Sequence, residues 1–221
     1  MLKVAIPVAA VLMLGIGLFY DIHTAKGLPI TKIYSAVEMV KNIHLSSFDA
    51  DNQRLIQEIW ISRNYGLHII KTGNKCVLRD ITTGIRKTRN PQTGEIDQTS
   101  LSSEALTSIA ALINGSADIM TFAKPSDIPG GSKWSEITDS SLVSKNSNIK
   151  VYELSWPQVA SNGSTITRSR RIFVDVSTNL PQKIQHFKQD AFDPEPVLET
   201  FTIIEYPADE EILARAEAMS F

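Results

Sequence analysis

The sequence is poor in the residues that most readily announce chemistry. Cys76 is the only cysteine among 221 residues, which excludes an intramolecular disulfide, a Cys-x-x-Cys redox pair and a thiolate zinc site. It sits in the strand-like run Lys75-Cys76-Val77-Leu78, where a small apolar side chain is expected to face inward, and it lies too far from the N-terminus to be a lipidation cysteine. His23, His44, His68 and His186 are scattered, with no His-x-x-x-His pair and no acidic partner at ligand spacing, so neither a metal site nor a cofactor is expected. The formal charge is −2. A nucleic-acid binder would carry a basic patch or stripe, and the local cluster Arg168-Ser169-Arg170-Arg171 reads as a solvated strand face. The Gly-x-Ser-x-Gly turn that seats a serine nucleophile is absent. Gly130-Gly131-Ser132-Lys133 lacks the spacing that lets backbone amides wrap a phosphate. No catalytic residue is assigned, and the expectation is a protein that is not an enzyme.

What is present is an ordinary globular composition, 43% hydrophobic, enough for one domain with its own core. The long apolar run is Val4 to Tyr20, uncharged throughout. As a helix it is roughly 25 Å long at 1.5 Å per residue, slightly under the roughly 30 Å of a bilayer's hydrocarbon core, with Phe19 and Tyr20 placed to anchor it at the interface. Lys3 before the run also suits a cleaved signal peptide, but Phe19-Tyr20-Asp21-Ile22 is a poor cleavage site. An uncleaved anchor is the favoured reading. Residues 1–27 are therefore expected to be a membrane anchor or signal segment with its linker, and residues 28–221 an extracytoplasmic β-rich domain. The expected location is the inner membrane of a bacterial cell, single-pass, with the domain on the periplasmic side.

Along the exported part, Ile33, Val37 and Val40 have helical spacing after Thr31, which could cap the helix. Strand signals follow at Ile43–Phe48, Arg54–Ile61, Leu67–Lys71, Lys75–Asp80 and Ile85–Thr88, each separated by a turn, and Asn90-Pro91-Gln92-Thr93-Gly94 is a strong turn. Ser102 opens a second helix that Asn114-Gly115 ends. Residues 124–131, with two prolines and two glycines, read as a loop. Strands resume at Lys150–Trp156, Thr165–Val174, Gln182–Lys188 and Val197–Tyr206, with Asn162-Gly163 as a hairpin turn. Pro207 opens a last helix, Ala208 to Met219, acidic in its first turn as the helix dipole prefers. The whole predicts an α+β fold of two antiparallel meanders with packed helices.

This order of pieces resembles the LolA-like superfamily, which includes periplasmic lipoprotein carriers and the sensor domain of RseB-type regulators. The likeness covers roughly residues 30 to 206. It is carried by Val37-Glu38-Met39-Val40-Lys41-Asn42-Ile43 before the first strand, by Asn90-Pro91-Gln92-Thr93 after the fifth, and above all by Val174-Asp175-Val176-Ser177-Thr178-Asn179-Leu180-Pro181. The resemblance implies a curved, half-open antiparallel barrel with helices packed around it and, in the carriers, an apolar concave face. A tethered chain departs from the soluble carriers, because a tethered domain cannot shuttle. Trp60, Tyr152, Trp156, Phe173 and Phe201 lie on the expected strands. They are either core residues or the lining of an apolar groove for a lipid chain or apolar peptide. The functional expectation is a membrane-tethered binding or sensing domain for an apolar ligand or partner, namely a lipid, a lipoprotein or an envelope protein, within envelope-stress or sigma-factor signalling. The alternative is a structural envelope protein whose β-domain is closed and ligand-free.

Overall fold

A computed structural model describes residues 30–90, 92–139, 148–161, 163–190 and 195–219. The expected membrane segment at residues 4–20 lies outside the described residues. Among those described, no helix is long and apolar enough to cross a membrane.

The chain begins with α1 (Ile30–Met39) and continues into β1 (Asn42–Asp49), β2 (Leu55–Ser62), β3 (Leu67–Thr72), β4 (Lys75–Asp80), β5 (Ile85–Arg89) and β6 (Ile96–Ser100). Helix α2 (Ser103–Asn114) and a 3-10 turn at Pro125–Asp127 lead to β7 (Lys133–Ile137), β8 (Ile149–Val159), β9 (Thr165–Asp175), β10 (Leu180–Gln189) and β11 (Val197–Glu205), and α3 (Asp209–Ala218) closes the described chain. The strands form one open antiparallel sheet in the order β6-β5-β4-β3-β2-β1-β11-β10-β9-β8-β7. Two meanders are thus fused where the first strand of one meets the last strand of the other, with Leu45 opposite Ile204 and Phe48 opposite Phe201. This is an α+β fold, as the sequence pattern predicted.

Residues alternate between the faces along each strand, and the two faces are packed differently. On one face α1 buries Ile33, Tyr34 and Val37, and α2 buries Ile109 and Ile113, against Ile43, Leu45, Ile61, Tyr152, Ile172, Ile184 and Ile204. On the other face α3 covers a smaller cluster of Trp60, Ile69, Cys76 and Leu78.

Helix α1 starts at Ile30, so Thr31 lies inside its first turn and does not cap it. Ser102 does cap α2, its side chain accepting from the Ala105 amide at 3.2 Å. The carboxyl ends of both helices converge on Arg63, in the turn after β2. Its guanidinium donates to the carbonyl oxygens of Val37 (2.6 Å), Ile113 (2.8 Å) and Gly115 (2.9 Å), and also to Glu38 and Val40. A fixed cation is well placed there, because the last carbonyls of a helix lack partners and carry the negative end of its dipole.

The turn between β9 and β10 is a backbone device. Asp175 Oδ1 accepts from the Ser177 amide at 2.8 Å and its hydroxyl at 2.6 Å, and Asn179 takes φ +59° with its amide on the Asp175 carbonyl at 2.7 Å. Asparagine tolerates that left-handed conformation better than most residues. The hydrogen bonds to Ser177 hold the Asp175 carboxyl below its usual pKa.

Two strands have no counterpart in the sequence reading. All five residues of β6 are exposed, and β7 is mostly so. Edge strands of this kind carry no apolar alternation by which to be read.

Candidate functional site

The sheet face beneath α3 is built from three cross-strand rows. Their registers are Glu58–Lys71–Cys76–Arg89, His44–Trp60–Ile69–Leu78–Lys87 and Asn42–Ser62–Leu67–Asp80–Ile85. Trp60, Ile69 and Leu78 fill the middle row, with Cys76 and Leu67 in the rows beside it, and charged residues stand in all three. The floor is therefore apolar, with Trp60, Ile69, Cys76 and Leu78 all buried.

Helix α3 lies across this floor. Asp209 receives hydrogen bonds from Asn42 Nδ2 at 2.6 Å and Asn64 Nδ2 at 3.1 Å, which depress its carboxyl pKa. The Glu211 carboxylate accepts from the Ala208 amide at 3.3 Å. Ile212 is the helix's only buried residue, 1% exposed. At the far end the Arg89 guanidinium donates to the Met219 carbonyl at 2.6 Å. With one buried anchor and partly buried Ala216 and Met219, apolar docking of the helix contributes only a few kcal/mol, about 1.5–3 of it from Ile212.

Cavities open along the sides of this lightly held helix. One of about 290 Å3 is lined by Lys71, Thr72, Cys76, Arg89, Arg215 and Met219, among others. Another of about 320 Å3 is bounded by Leu67, Leu78, Ile85, Leu213 and Ala216. A third, of about 340 Å3 near the start of the helix, is lined by His44, Trp60, Glu205, Ile212 and Arg215. Each is at the small end for a ligand pocket. Residues of α3 line all three, so its displacement would open them over the apolar floor.

Polar groups around Trp60 are tied into one network. The His44 ring stacks on the indole with centroids 4.6 Å apart and planes 6° from parallel, and the Arg215 guanidinium lies 5.0 Å from its ring centroid. Glu58 takes the Lys71 ammonium at 2.8 Å and the Arg215 guanidinium at 3.5 Å. His44 Nδ1 meets Glu205 Oε2 at 2.8 Å, and its Nε2 meets Ser46 Oγ at 3.3 Å. The order Ser46–His44–Glu205 has the connectivity of an acid–base relay. Ser46, however, sits mid-strand with Glu58 and Ile203 as its partners on either side, where backbone amides serve the sheet ladder instead of a developing oxyanion.

The five aromatic residues singled out from sequence do not line one groove. Trp60 is the floor of the α3 site. Tyr152 belongs to the core on the opposite face, and its register partner Ile172 is buried with it. Trp156 packs edge-on against Phe122, 5.8 Å away. Phe173 and Phe201 are brought together: the Lys183 ammonium lies 5.6 Å and 5.1 Å from their ring centroids, and Phe201 also stacks on Phe48 at 5.0 Å. Sequence reading missed Arg215, which lies over Trp60, and Ile212 and Met219, which pack in or against its cluster. Their only signal was the spacing Ile212–Ala216–Met219 on the last helix.

Further buried titratable groups are His68, Asp118 and His186. Arg79 Nη1 donates to His68 Nδ1 at 3.1 Å, which fixes the imidazole proton on Nε2, 3.7 Å from Asp118 Oδ2. Burial and then the Arg79 charge lower the His68 pKa to about 4, and burial raises that of Asp118. His186 is likewise lowered to about 4 by burial, with Arg170 and Arg168 adding to it. Among the described residues no group of three or more His, Cys, Asp or Glu is placed to hold a metal ion. No protein-family model and no curated protein matches the chain.

Proposed function

We propose that this chain is a membrane-tethered, extracytoplasmic binding or sensing domain, not an enzyme, and that its apolar ligand enters beneath α3. The observation that carries the reading is the pairing of an apolar floor with a helix that has one buried anchor and open cavities beside it. A helix needed only for stability would fill that floor. One that must leave is drawn from the weakly held end of the structure. The half-open barrel of LolA-like domains is the proposed fold family, supported by the two meanders, the helix between them and the Asp175–Pro181 turn. The apolar run at residues 4–20 supports the tether and a place on the periplasmic side of an inner membrane, with a lipid, lipoprotein or envelope protein as the partner. The rival reading, a structural envelope protein with a closed β-domain, draws on the face under α1 and α2, which Ile33, Val37, Ile109 and Ile113 fill.

Native mass spectrometry of the full chain, released from the membrane in mild detergent, tests the proposal. The expected result is a co-purifying apolar molecule that is lost on delipidation and whose return shifts Trp60 emission. A bare apo mass, with no fluorescence response to lipids or apolar peptides, would transfer the reading to the closed structural protein.

A further inference from the structure

We infer that the site beneath α3 takes a single-chain amphiphile with an anionic head, its carboxylate or phosphate held by Lys71, Arg89 and Arg215 and its chain lying along Cys76, Ile69 and Leu78. This rests on the reading of the α3 site as apolar and adds the chemistry of the ligand's polar end.

The three cations line the cavity of about 290 Å3, together with Cys76 and Met219 and, among the described residues, no acidic one. Lys71 and Arg89 flank Cys76 in one cross-strand row, and Arg215 reaches the same place from α3. The Glu58 carboxylate meets Lys71 at 2.8 Å and Arg215 at 3.5 Å. Glu58 is thus shared between two of the cations, and Arg89 forms no ion pair among the described residues. One of its terminal nitrogens donates to the Met219 carbonyl, while its Nε is buried with no hydrogen-bond partner. Buried donors are normally satisfied, and guanidinium is suited to binding carboxylate and phosphate oxygens in pairs.

The Cys76 thiol registers the same field. Burial raises its pKa, while Lys71, Arg89 and Arg215 all pull against that rise. The neighbouring cavities differ in charge. That near the start of α3 is lined by Glu205 and Glu211 as well as Arg215, and that on the far side of α3 carries Asp80 and Glu217 against Lys87. An anionic head is therefore favoured at the Lys71–Arg89 end, and a chain leaving it meets the apolar floor. A neutral apolar ligand would leave the Arg89 Nε without a partner, and a cationic one would be repelled.

The test uses the full chain in amphipol with Trp134→Phe and Trp156→Phe, so that Trp60 alone reports. Dodecanoate, dodecyl phosphate and dodecanol are titrated in turn. At least one anionic probe is expected to bind ten-fold or more tightly than dodecanol, and comparison of the two separates a fatty-acid-like head from a phosphate head. Lys71→Gln and Arg89→Gln are each expected to shrink that preference at least three-fold, read as the ratio of anionic-probe to dodecanol affinity within the same variant. Lys71 is half-exposed, so its variant reports even if loss of the Arg89–Met219 bond loosens α3. Equal binding of all three probes, or a preference indifferent to both substitutions, would overturn the head-group assignment and leave the apolar site standing. Failure of every probe to bind would overturn the apolar site as well.

Discussion

The Cys76 sulfur lies 3.3 Å from the Met219 sulfur, joining β4 to the end of the C-terminal helix. It is one of several contacts that keep α3 on the sheet, and it borders the cation-lined cavity. The same helix that completes the core of this face therefore stands over the proposed entrance.

Helix α3 is expected to be the first element to open. Ile212→Ala removes its single buried anchor. The loss should be about 2–4 kcal/mol at a site that cannot fully collapse. Hydrogen exchange should speed up markedly across Asp209–Ala218 and change little in β8, β9 and β10. Equal acceleration throughout would mean that the helix unfolds only with the whole domain.

Arg63 is expected to be the most sensitive polar residue. Arg63→Ala strips hydrogen bonds from the ends of both α1 and α2 at once, and should cost about 2–4 kcal/mol given roughly 1.5–3 for bonds to a charged group. Arg63→Lys should recover less than half of that, because an ammonium cannot span the two helix ends as a planar fork does. Denaturant midpoints of the three proteins at neutral pH measure both effects.

Stability should fall on mild acidification. His68 and His186 each have a folded-state pKa of about 4, below the roughly 6.5 of an unfolded chain. Their neutral forms thus favour the fold fully above pH 6.5, and that contribution is lost as pH falls towards 4. With both titrating, the slope reaches about 2.7 kcal/mol per pH unit at most. Asp118, raised by burial, works the other way and offsets part of the loss. His68→Gln should flatten the profile in urea titrations between pH 6.5 and 4. An unchanged slope would locate the acid sensitivity elsewhere.

The meanders and all three described helices were legible because each repeats a local signal: alternating strands closed by Gly, Asn or Pro turns, a serine cap before α2, acidic residues at the start of α3. The edge strands β6 and β7 were not. A strand with one paired neighbour and mostly solvated side chains has no apolar period. The candidate site was half legible. Trp60 stood out as an aromatic on a strand, but nothing in sequence separates it from Tyr152, which the opposite face buries. The cation row Lys71–Cys76–Arg89 exists only through strand register, which brings together residues 71, 76 and 89. The face that α3 covers depends in turn on where the chain re-enters after β11.

Hydrogen–deuterium exchange of the full chain, with and without saturating dodecanoate, tests the central claim most directly. Slower exchange is expected in β3, in β4 and in the turn of α3 that carries Arg215, with α1 and α2 unchanged. Protection confined to α1, α2 and the strands beneath them, with α3 unaffected, would contradict that claim.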